Sequence, residues 1–398
     1  MARSPDELLF GVLDRCLAKT RIRFLLPGGA RDVGRSSKPS NEPDLVVKVT
    51  DPDFSRRVLT FGNLGLAESY MDEGFVVEVG TLADLLVVLA KADVEQKLRA
   101  DPRLVLRVAA MRVQHVFTGA HSNVKLHYGA GNDVFALILD ETMGYTCGYQ
   151  KKPDDTLREL QENKYDRVCE KVRLKEGDTL LDIGCGWGGM VIHAAQKYGA
   201  RARGITIVKE QAEFAMRRAR ELGLEDRVTI DFGDFREARG TYDKIVSLGM
   251  FEHLYEHEHP AYFSHIHELL ADDGWGLVHF MGRTTAKNYP DPFTQKYIFP
   301  GSNHPRLSGV VTELEKRNMA VLDVENVGRS YAPTARYWNE NWTANKHRID
   351  SSRYDARFVR MTDYLMALYV AGTEAAVAGL FQVLFTKDYR GNLPLHRV

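Results

Sequence analysis

A glycine-rich turn directly after an apolar segment is the feature that most constrains this chain. The apolar residues Thr179–Ile183 are followed by Gly184, Gly186 and Gly189 at G-x-G-x-x-G spacing. Glycine lets a backbone turn tightly and approach a ligand without a Cβ in between. The next segment, Met190–Lys197, predicts a helix whose N-terminal amides point toward such a ligand. We therefore predict a strand, loop and helix that bind a nucleotide-type ligand.

The end of the second predicted strand distinguishes between ligands of this type. Dinucleotide-binding folds normally end that strand in an acidic residue that binds the ribose. Here the predicted strand Ala202–Val208 contains Thr206 near its end and is followed by Lys209. This pattern favours S-adenosylmethionine over a dinucleotide. The alternative is a glycine turn that serves only the packing of helix on strand.

Strands and helices alternate from Thr179 onward. The predicted strands are Thr179–Ile183, Ala202–Val208, Arg227–Asp231, Lys244–Leu248 and Gly276–Met281. Helices such as Glu210–Leu222 and Pro260–Leu270 lie between them. The alternation predicts an α/β fold with a doubly wound, Rossmann-like sheet of the S-adenosylmethionine methyltransferase type. Ligands of such sheets bind at the carboxyl ends of the strands.

The first 115 residues lack this alternation and predict a smaller α+β N-terminal domain. The predicted elements are the helix Glu7–Leu17, a connection from Pro27 to Pro43, the strand Leu45–Val49 and the helices Phe54–Ala67 and Leu82–Ala92. We assign residues 1–115 to an N-terminal lipid- or membrane-docking domain. Residues 116–398 are assigned to an S-adenosylmethionine-dependent catalytic domain.

A basic amphipathic segment is the main reason to expect membrane docking. The predicted helix Glu95–Val116 carries Arg99, Arg103, Arg107 and Arg112 beside apolar residues. Such a helix can lie on an anionic membrane surface, although a solvated helix face is the alternative. No apolar run reaches the ~18 residues that span a bilayer, and there is no signal-peptide pattern. We expect a cytoplasmic protein that is transiently at the inner face of the membrane.

The charge and the cysteine content of the chain argue against a nucleic-acid-binding protein, a disulfide scaffold and a metal site. The formal net charge of −1 argues against general nucleic-acid binding. The four cysteines, Cys16, Cys147, Cys169 and Cys185, have no metal-ligand spacing and are too few for a disulfide scaffold. We therefore expect reduced thiols and no metal site.

Several short motifs together resemble a known family. They include Gly65–Asp72, His127-Tyr128, Tyr145–Tyr149, Gly249–His253, Lys296–Gly301 and Gln382-Val383, together with the glycine turn. In order and spacing they resemble the cyclopropane-fatty-acyl-phospholipid synthases and the related mycolic-acid cyclopropane synthases and methyltransferases. The resemblance runs from about Asp51 to Lys387.

The resemblance implies a reaction and its partners. A methylene from S-adenosylmethionine is added to the cis double bond of an unsaturated phospholipid acyl chain, giving a cyclopropane through a carbocation that bound bicarbonate deprotonates. The acyl pocket must exclude water, and its aromatic candidates are Phe251, Phe280, Tyr297, Phe299, Tyr331, Tyr337 and Trp338. A homodimer would double the membrane contacts of such an enzyme.

The resemblance also assigns site residues. It implies that the cofactor is contacted by Tyr145, Thr146, Gly184, Gly186, Thr206, Gln211 and Asp234. The bicarbonate contacts are carried onto Cys147, Glu252, His279, Tyr331 and the backbone near Met281, and the first four are the candidate catalytic residues. Glu252 can accept the hydroxyl hydrogen of bicarbonate, while His279 and Tyr331 can donate to its other oxygens. For Asp234 the alternative is an ordinary turn or cap aspartate.

The chain departs from the family pattern at four positions. These are Gly129 after His-Tyr, Gly144 before Tyr145, Met281 in place of isoleucine and Ser330 before Tyr331. They leave the product open, because a shifted base or wider pocket would give a methyl or methylene branch instead of a ring. Methylation of a small amine and a catalytically inactive binding protein are further alternatives.

Overall fold

The computed structural model describes residues 4–36, 42–94, 130–285, 291–301 and 304–387. These residues form two compact units. The first unit contains the described residues up to 94, together with 291–300 and 342–377. The second contains 130–285, residues 301 and 304–341, and 378–387.

The second unit is built on a seven-stranded sheet. Its strands are β5 (Thr179–Ile183), β6 (Arg201–Thr206), β7 (Val228–Phe232), β8 (Tyr242–Leu248), β9 (Leu270–Gly282), β10 (Ala320–Asn326) and β11 (Gly379–Thr386), in the order β10-β11-β9-β8-β5-β6-β7. Strands β5 to β9 pair in parallel, while β11 is antiparallel to β9 and β10 is antiparallel to β11.

Helices cover both faces of this sheet. They are α5 (Leu157–Lys171), α6 (Gly189–Tyr198), α7 (Lys209–Glu221), α8 (His259–Leu269) and α9 (Leu307–Glu315), and α10 (Tyr331–Asn345) begins in this unit. Neighbouring residues of a strand point to opposite faces. Accordingly, Leu180 packs in a cluster with Ala194 and Ala215, whereas Leu181 packs with Tyr262 and Ile266. The predicted doubly wound α/β fold is confirmed.

The first unit contains a four-stranded sheet in the order β2-β1-β3-β4. Its strands are β1 (Ile22–Leu26), β2 (Gly29–Val33), β3 (Leu45–Val49) and β4 (Phe75–Val79). Its helices are α1 (Pro5–Cys16), α2 (Phe54–Phe61), α3 (Asn63–Met71), α4 (Leu82–Lys91) and α11 (Ala356–Glu374).

Some elements differ from the sequence predictions. The single helix predicted over Phe54–Ala67 is two helices, because Gly62 between them has a φ of 59°. Strand β2 lies inside the stretch predicted as a connection, and β1, β4, β10 and β11 were not predicted. The basic helix Glu95–Val116 and its four arginines lie outside the described residues, so the docking domain stays a prediction.

Candidate functional site

The glycine turn combines tight backbone packing with open space. Gly184, Gly186 and Gly188 have φ values of 83°, 55° and 80°. The amides of Gly184 and Cys185 donate to the Ile205 carbonyl at 2.9 and 3.0 Å, which ties the turn to β6. A Cβ on Gly184 would lie 2.5 Å from the Met250 Cβ, whereas a Cβ on Gly186 would meet no atom within 4 Å. The open side of the turn is therefore at Gly186.

Thr206 and Gln211 lie together at the end of β6. The Thr206 hydroxyl donates to Gln211 Oε1 at 3.1 Å and accepts from the Val208 amide at 3.3 Å. The pair fixes the chain between β6 and α7. Both residues thus lie at the carboxyl edge of the sheet, where a ligand of this fold binds.

Asp234 follows β7 and makes local contacts. Its carboxylate accepts from the Arg236 amide and from the Arg236 guanidinium, each at 2.9 Å. Arg236 also contacts Glu258. The side chain of Asp234 is 40% exposed. These contacts are those of a cap aspartate, and contact with a cofactor stays a prediction for this residue.

The segment Tyr145–Cys147 is held by aromatic rings and by α5. The Tyr145 ring centroid lies 5.1 Å from that of Phe135 and 5.2 Å from that of Trp338. The Thr146 carbonyl accepts from Gln161 Nε2 at 2.8 Å, and the Thr146 hydroxyl accepts from Lys164 Nζ at 2.6 Å. Neither Gln161 nor Lys164 was predicted from the sequence to belong to the site. Their spacing of three on one helix face was the available signal.

The five residues assigned to bicarbonate lie around the ends of β8 and β9. Cys147, Met281 and Tyr331 pack around the same small cluster, which contains Val327 and Leu380. Glu252, just after β8, accepts from the Met281 amide at 3.3 Å. His279 lies two residues before Met281 on β9, so both side chains are on one face of the strand.

Two polar atoms of the residues assigned to bicarbonate are hidden from solvent. Within the described part of the chain, Glu252 Oε2 and His279 Nε2 have no hydrogen-bond partner. Burial raises the pKa of the Glu252 carboxyl to about 7 and lowers the pKa of the His279 imidazole to about 3. Burial also raises the pKa of the Cys147 thiol. Leaving buried polar atoms unsatisfied is costly, so these residues are suited to a small polar ligand.

Gln382 is a further residue of this region. It is fully buried on β11, opposite His279 on β9, and its Nε2 lies 3.2 Å from His279 Nδ1. An amide N–H that donates to Nδ1 leaves the hydrogen of a neutral imidazole on Nε2. The motif Gln382-Val383 was noted in the sequence, but its contact with His279 was not predicted.

Two departures from the family pattern have local explanations. A Cβ on Gly144 would lie 2.3 Å from Gln161 Oε1, so the packing of α5 requires glycine there. The Ser330 hydroxyl accepts from the Gln150 amide at 3.1 Å. Gly129 lies outside the described residues, and nothing in the structure explains Met281.

The aromatic candidates separate into different environments. Phe251 and Phe280 are fully buried in a core cluster, with ring centroids 5.5 Å apart. Tyr297 belongs to the first unit, where its hydroxyl donates to Glu68 at 2.8 Å. Trp338 and Tyr331 are edge to face at 5.9 Å, near Tyr145.

Comparison with known proteins shows which family this is. Residues 116–383 match the family model described as mycolic acid cyclopropane synthetase. The chain is 34% identical to the cyclopropane-fatty-acyl-phospholipid synthase of Escherichia coli (strain K12), over 99% of this chain and 97% of that protein. It is 35% identical to a probable fatty acid methyltransferase of Pseudomonas putida, over 92% and 91% of the two chains.

A solved structure agrees with this assignment. Mycolic acid cyclopropane synthase CmaA1, complexed with SAH and CTAB, superposes with a TM-score of 0.60 at 26% identity, covering 66% of this chain and 99% of that one. The predicted family and enzyme class are confirmed. The chain belongs to the mycolic acid cyclopropane synthetase family and is an S-adenosylmethionine-dependent methyltransferase of the cyclopropane-fatty-acyl-phospholipid synthase type.

Proposed function

We propose that this enzyme adds a methylene across the cis double bond of a phospholipid acyl chain and so makes a cyclopropane. The observation that carries the proposal is that Glu252 and His279 each have a buried polar atom without a hydrogen-bond partner among the described residues. Glu252 accepts from the amide of Met281, which packs in the cluster of Cys147 and Tyr331. A methyl transfer to an ordinary amine needs no such arrangement. The similarity to the Escherichia coli synthase over almost the whole chain agrees with this reaction.

S-adenosylmethionine, when bound, supplies an electrophilic methyl group. The open space at Gly186 fits a ligand that approaches the backbone closely. Tyr145, Thr146, Gly184, Thr206 and Gln211 would line the same edge of the sheet. Asp234 would also contact the cofactor through its exposed carboxylate, which would first have to release Arg236.

Bicarbonate, when bound, supplies a base. Glu252 would accept the hydroxyl hydrogen of this anion, which prevents the repulsion between two negative groups. His279 stays neutral because of its lowered pKa and would donate from Nε2. Tyr331 and Cys147 would donate to the remaining oxygens. The two buried atoms without partners would thereby be satisfied.

The residues near Tyr145 would keep water from the reacting carbons. Tyr145, Trp338 and Tyr331 form a chain of contacting rings next to Cys147. Water would trap a carbocation, so an apolar wall is required for a ring to form. The faces of aromatic rings also stabilise a nearby positive charge.

We propose that the enzyme works on membrane lipid from the surface, as a cytoplasmic protein. No helix in the described ranges is both long and apolar enough to cross a bilayer. The substrate double bond lies inside a bilayer, so a docking surface is needed to draw the acyl chain out. The arginine row of the basic segment is the proposed docking element, and a homodimer would double its contacts.

A branched product is the second candidate. The observation in its favour is the 35% identity to a probable fatty acid methyltransferase. A methyl-branched alkene would arise if the base removed a proton from a chain carbon beside the cation. A methylene branch would arise if a hydride shift first moved the cation to the carbon that bears the new methyl group, and that methyl then lost the proton. The four departures from the family pattern are where such a difference would originate.

One experiment tests both candidates. Purified protein is incubated with S-adenosylmethionine, bicarbonate and vesicles of a cis-monounsaturated phospholipid, and the released acyl chains are examined by proton NMR. Strongly shielded ring protons support the cyclopropane, whereas terminal-olefin signals indicate a methylene branch. Mass alone does not separate these two products, because each adds one CH2.

A further inference from the structure

A buried lysine without a carboxylate partner lies beside the proposed cofactor site. Lys164 is on α5 and is 1% exposed. Its ammonium contacts the Thr146 hydroxyl at 2.6 Å, the Gln161 side-chain oxygen and the face of the Tyr165 ring, whose centroid is 4.3 Å away. No carboxylate of the described residues forms an ion pair with it.

A second buried lysine of the same helix shows the usual arrangement. Lys171 is also fully buried, and its Nζ lies 3.0 Å from Asp323 and 2.7 Å from Glu325. Buried charges in proteins are normally paired in this way, because removing a lone charge from water is expensive. Lys164 departs from that pattern, and burial lowers its pKa to about 8. The carboxyl groups of Asp140 and Asp182 act on Lys164 electrostatically but form no hydrogen bond with it, so the ammonium is still suited to balance a bound anion.

The contact with Thr146 determines how such an anion would be held. An ammonium can only donate, so the Thr146 hydroxyl is the acceptor in this bond. The hydroxyl hydrogen of Thr146 is then directed away from Lys164 and is available to another acceptor. Gln161 strengthens this arrangement, since its Nε2 donates to the Thr146 carbonyl at 2.8 Å.

We propose that Lys164 is a positioning residue for the carboxylate of S-adenosylmethionine, acting through the Thr146 hydroxyl. The proposal rests on the cofactor site given under Proposed function. Of the three charged groups of this cofactor, the carboxylate alone is attracted by an ammonium. Lys164 orients the Thr146 hydroxyl as a donor to that carboxylate and provides the positive charge that balances it.

Bicarbonate is a second anion that the charge of Lys164 would attract. The charge of Lys164 also acts on Cys147 and His279, which belong to the proposed bicarbonate site. Neither residue is hydrogen-bonded to Lys164, however, whereas Thr146 is. The direct bond favours the cofactor, and an effect on bicarbonate alone would contradict the proposal.

The test compares two ligands that differ only in the carboxylate. Calorimetry measures the binding of S-adenosylmethionine and of decarboxylated S-adenosylmethionine to the wild-type enzyme and to Lys164→Met. We expect the affinity for S-adenosylmethionine to fall roughly 10- to 100-fold, the range for losing a charge-assisted hydrogen bond. The affinity for the decarboxylated ligand should not fall. Lys197→Met, which removes an exposed lysine, is the control and should leave both affinities unchanged.

Thr146→Val provides a second, independent variant. It removes the hydroxyl and should lower the same preference for the carboxylate, and adding Lys164→Met to it should then have little further effect. Equal loss of both ligands, no loss at all, or a change confined to the bicarbonate KM would each overturn the proposal. The readout is binding, so it stands apart from whether the product is a cyclopropane or a branch. Thermal melting checks folding, and removing a lone buried charge should not lower the melting temperature.

Discussion

Gln382 Nε2 lies 3.2 Å from His279 Nδ1. Both side chains are buried, and their residues are opposite each other on the paired strands β11 and β9. The amide is thus placed to decide which nitrogen of His279 carries the hydrogen. With Gln382 as the donor, His279 presents an N–H at Nε2, the atom without a partner in the described residues. A neutral imidazole that donates is what an anion such as bicarbonate requires.

Gln382→Glu should impair the use of bicarbonate. A carboxylate at this position accepts a hydrogen from Nδ1, so Nε2 becomes an acceptor and no longer suits an anion. We expect the KM for bicarbonate to rise by roughly 10-fold or more, with the affinity for S-adenosylmethionine unchanged. Gln382→Met, which removes the contact without reversing it, is the matched control. Equal kinetics in the two variants would show that Gln382 does not set the tautomer.

Gly186→Val should weaken cofactor binding. The added side chain would enter the open space of the glycine turn, where we place the amino-acid end of the cofactor. Gly223→Val is a matched control, because Gly223 also has a positive φ (65°) and open space around its Cβ but lies after α7. Calorimetry should show lost affinity only in Gly186→Val. Undiminished binding in a folded Gly186 variant would remove this glycine from the site.

Glu252→Gln should lower turnover by orders of magnitude while cofactor binding survives. The amide keeps the shape of the side chain but replaces one acceptor oxygen with a donor, so the hydroxyl of bicarbonate loses its partner. In the wild-type enzyme, activity should also fall as the pH drops through about 7, the pKa of this carboxyl in the folded protein. Turnover like that of the wild type in Glu252→Gln would contradict the assignment.

The same substitution should stabilise the protein at high pH. Burial raises the pKa of Glu252 from 4.5 to about 7, so the folded state keeps a proton that the unfolded state loses between these values. Stability contributed by this group therefore falls as the pH rises from 4.5 to 7 and stays low above that. The free energy of unfolding of Glu252→Gln, relative to that of the wild type, should rise by at most about 3 kcal/mol between pH 5 and pH 8. Urea denaturation at both pH values measures this, and an equal difference at both would contradict it.

Replacing Arg99, Arg103, Arg107 and Arg112 together by glutamine should weaken binding to anionic vesicles. Each arginine near an anionic surface contributes about 1 kcal/mol, and salt screens the effect. The affinity for S-adenosylmethionine should not change, which serves as the internal control. Cosedimentation that is the same as for the wild type would place docking elsewhere in the chain.

Local sequence determined much of the catalytic unit. The strand Thr179–Ile183 has the predicted bounds, and the predicted helices Glu210–Leu222 and Pro260–Leu270 are within one residue of those observed. These segments were predictable because continuous apolar strands, glycine turns and helical periodicity are properties of short stretches. The family motifs predicted the enzyme class, because their order along the chain is also sequence information.

Only the tertiary structure decided what surrounds the site. Strand β11 pairs antiparallel with β9, and that pairing places Gln382 opposite His279. In the sequence, Lys164 has the pattern of an ordinary polar helix residue. Its contact with Thr146 depends on the packing of α5 against the segment that contains Thr146. Burial, which shifts the pKa of Glu252 and of His279 in opposite directions, depends on residues distant in the chain. Desolvation is a property of the packed fold, so neither shift could be read from the neighbouring sequence.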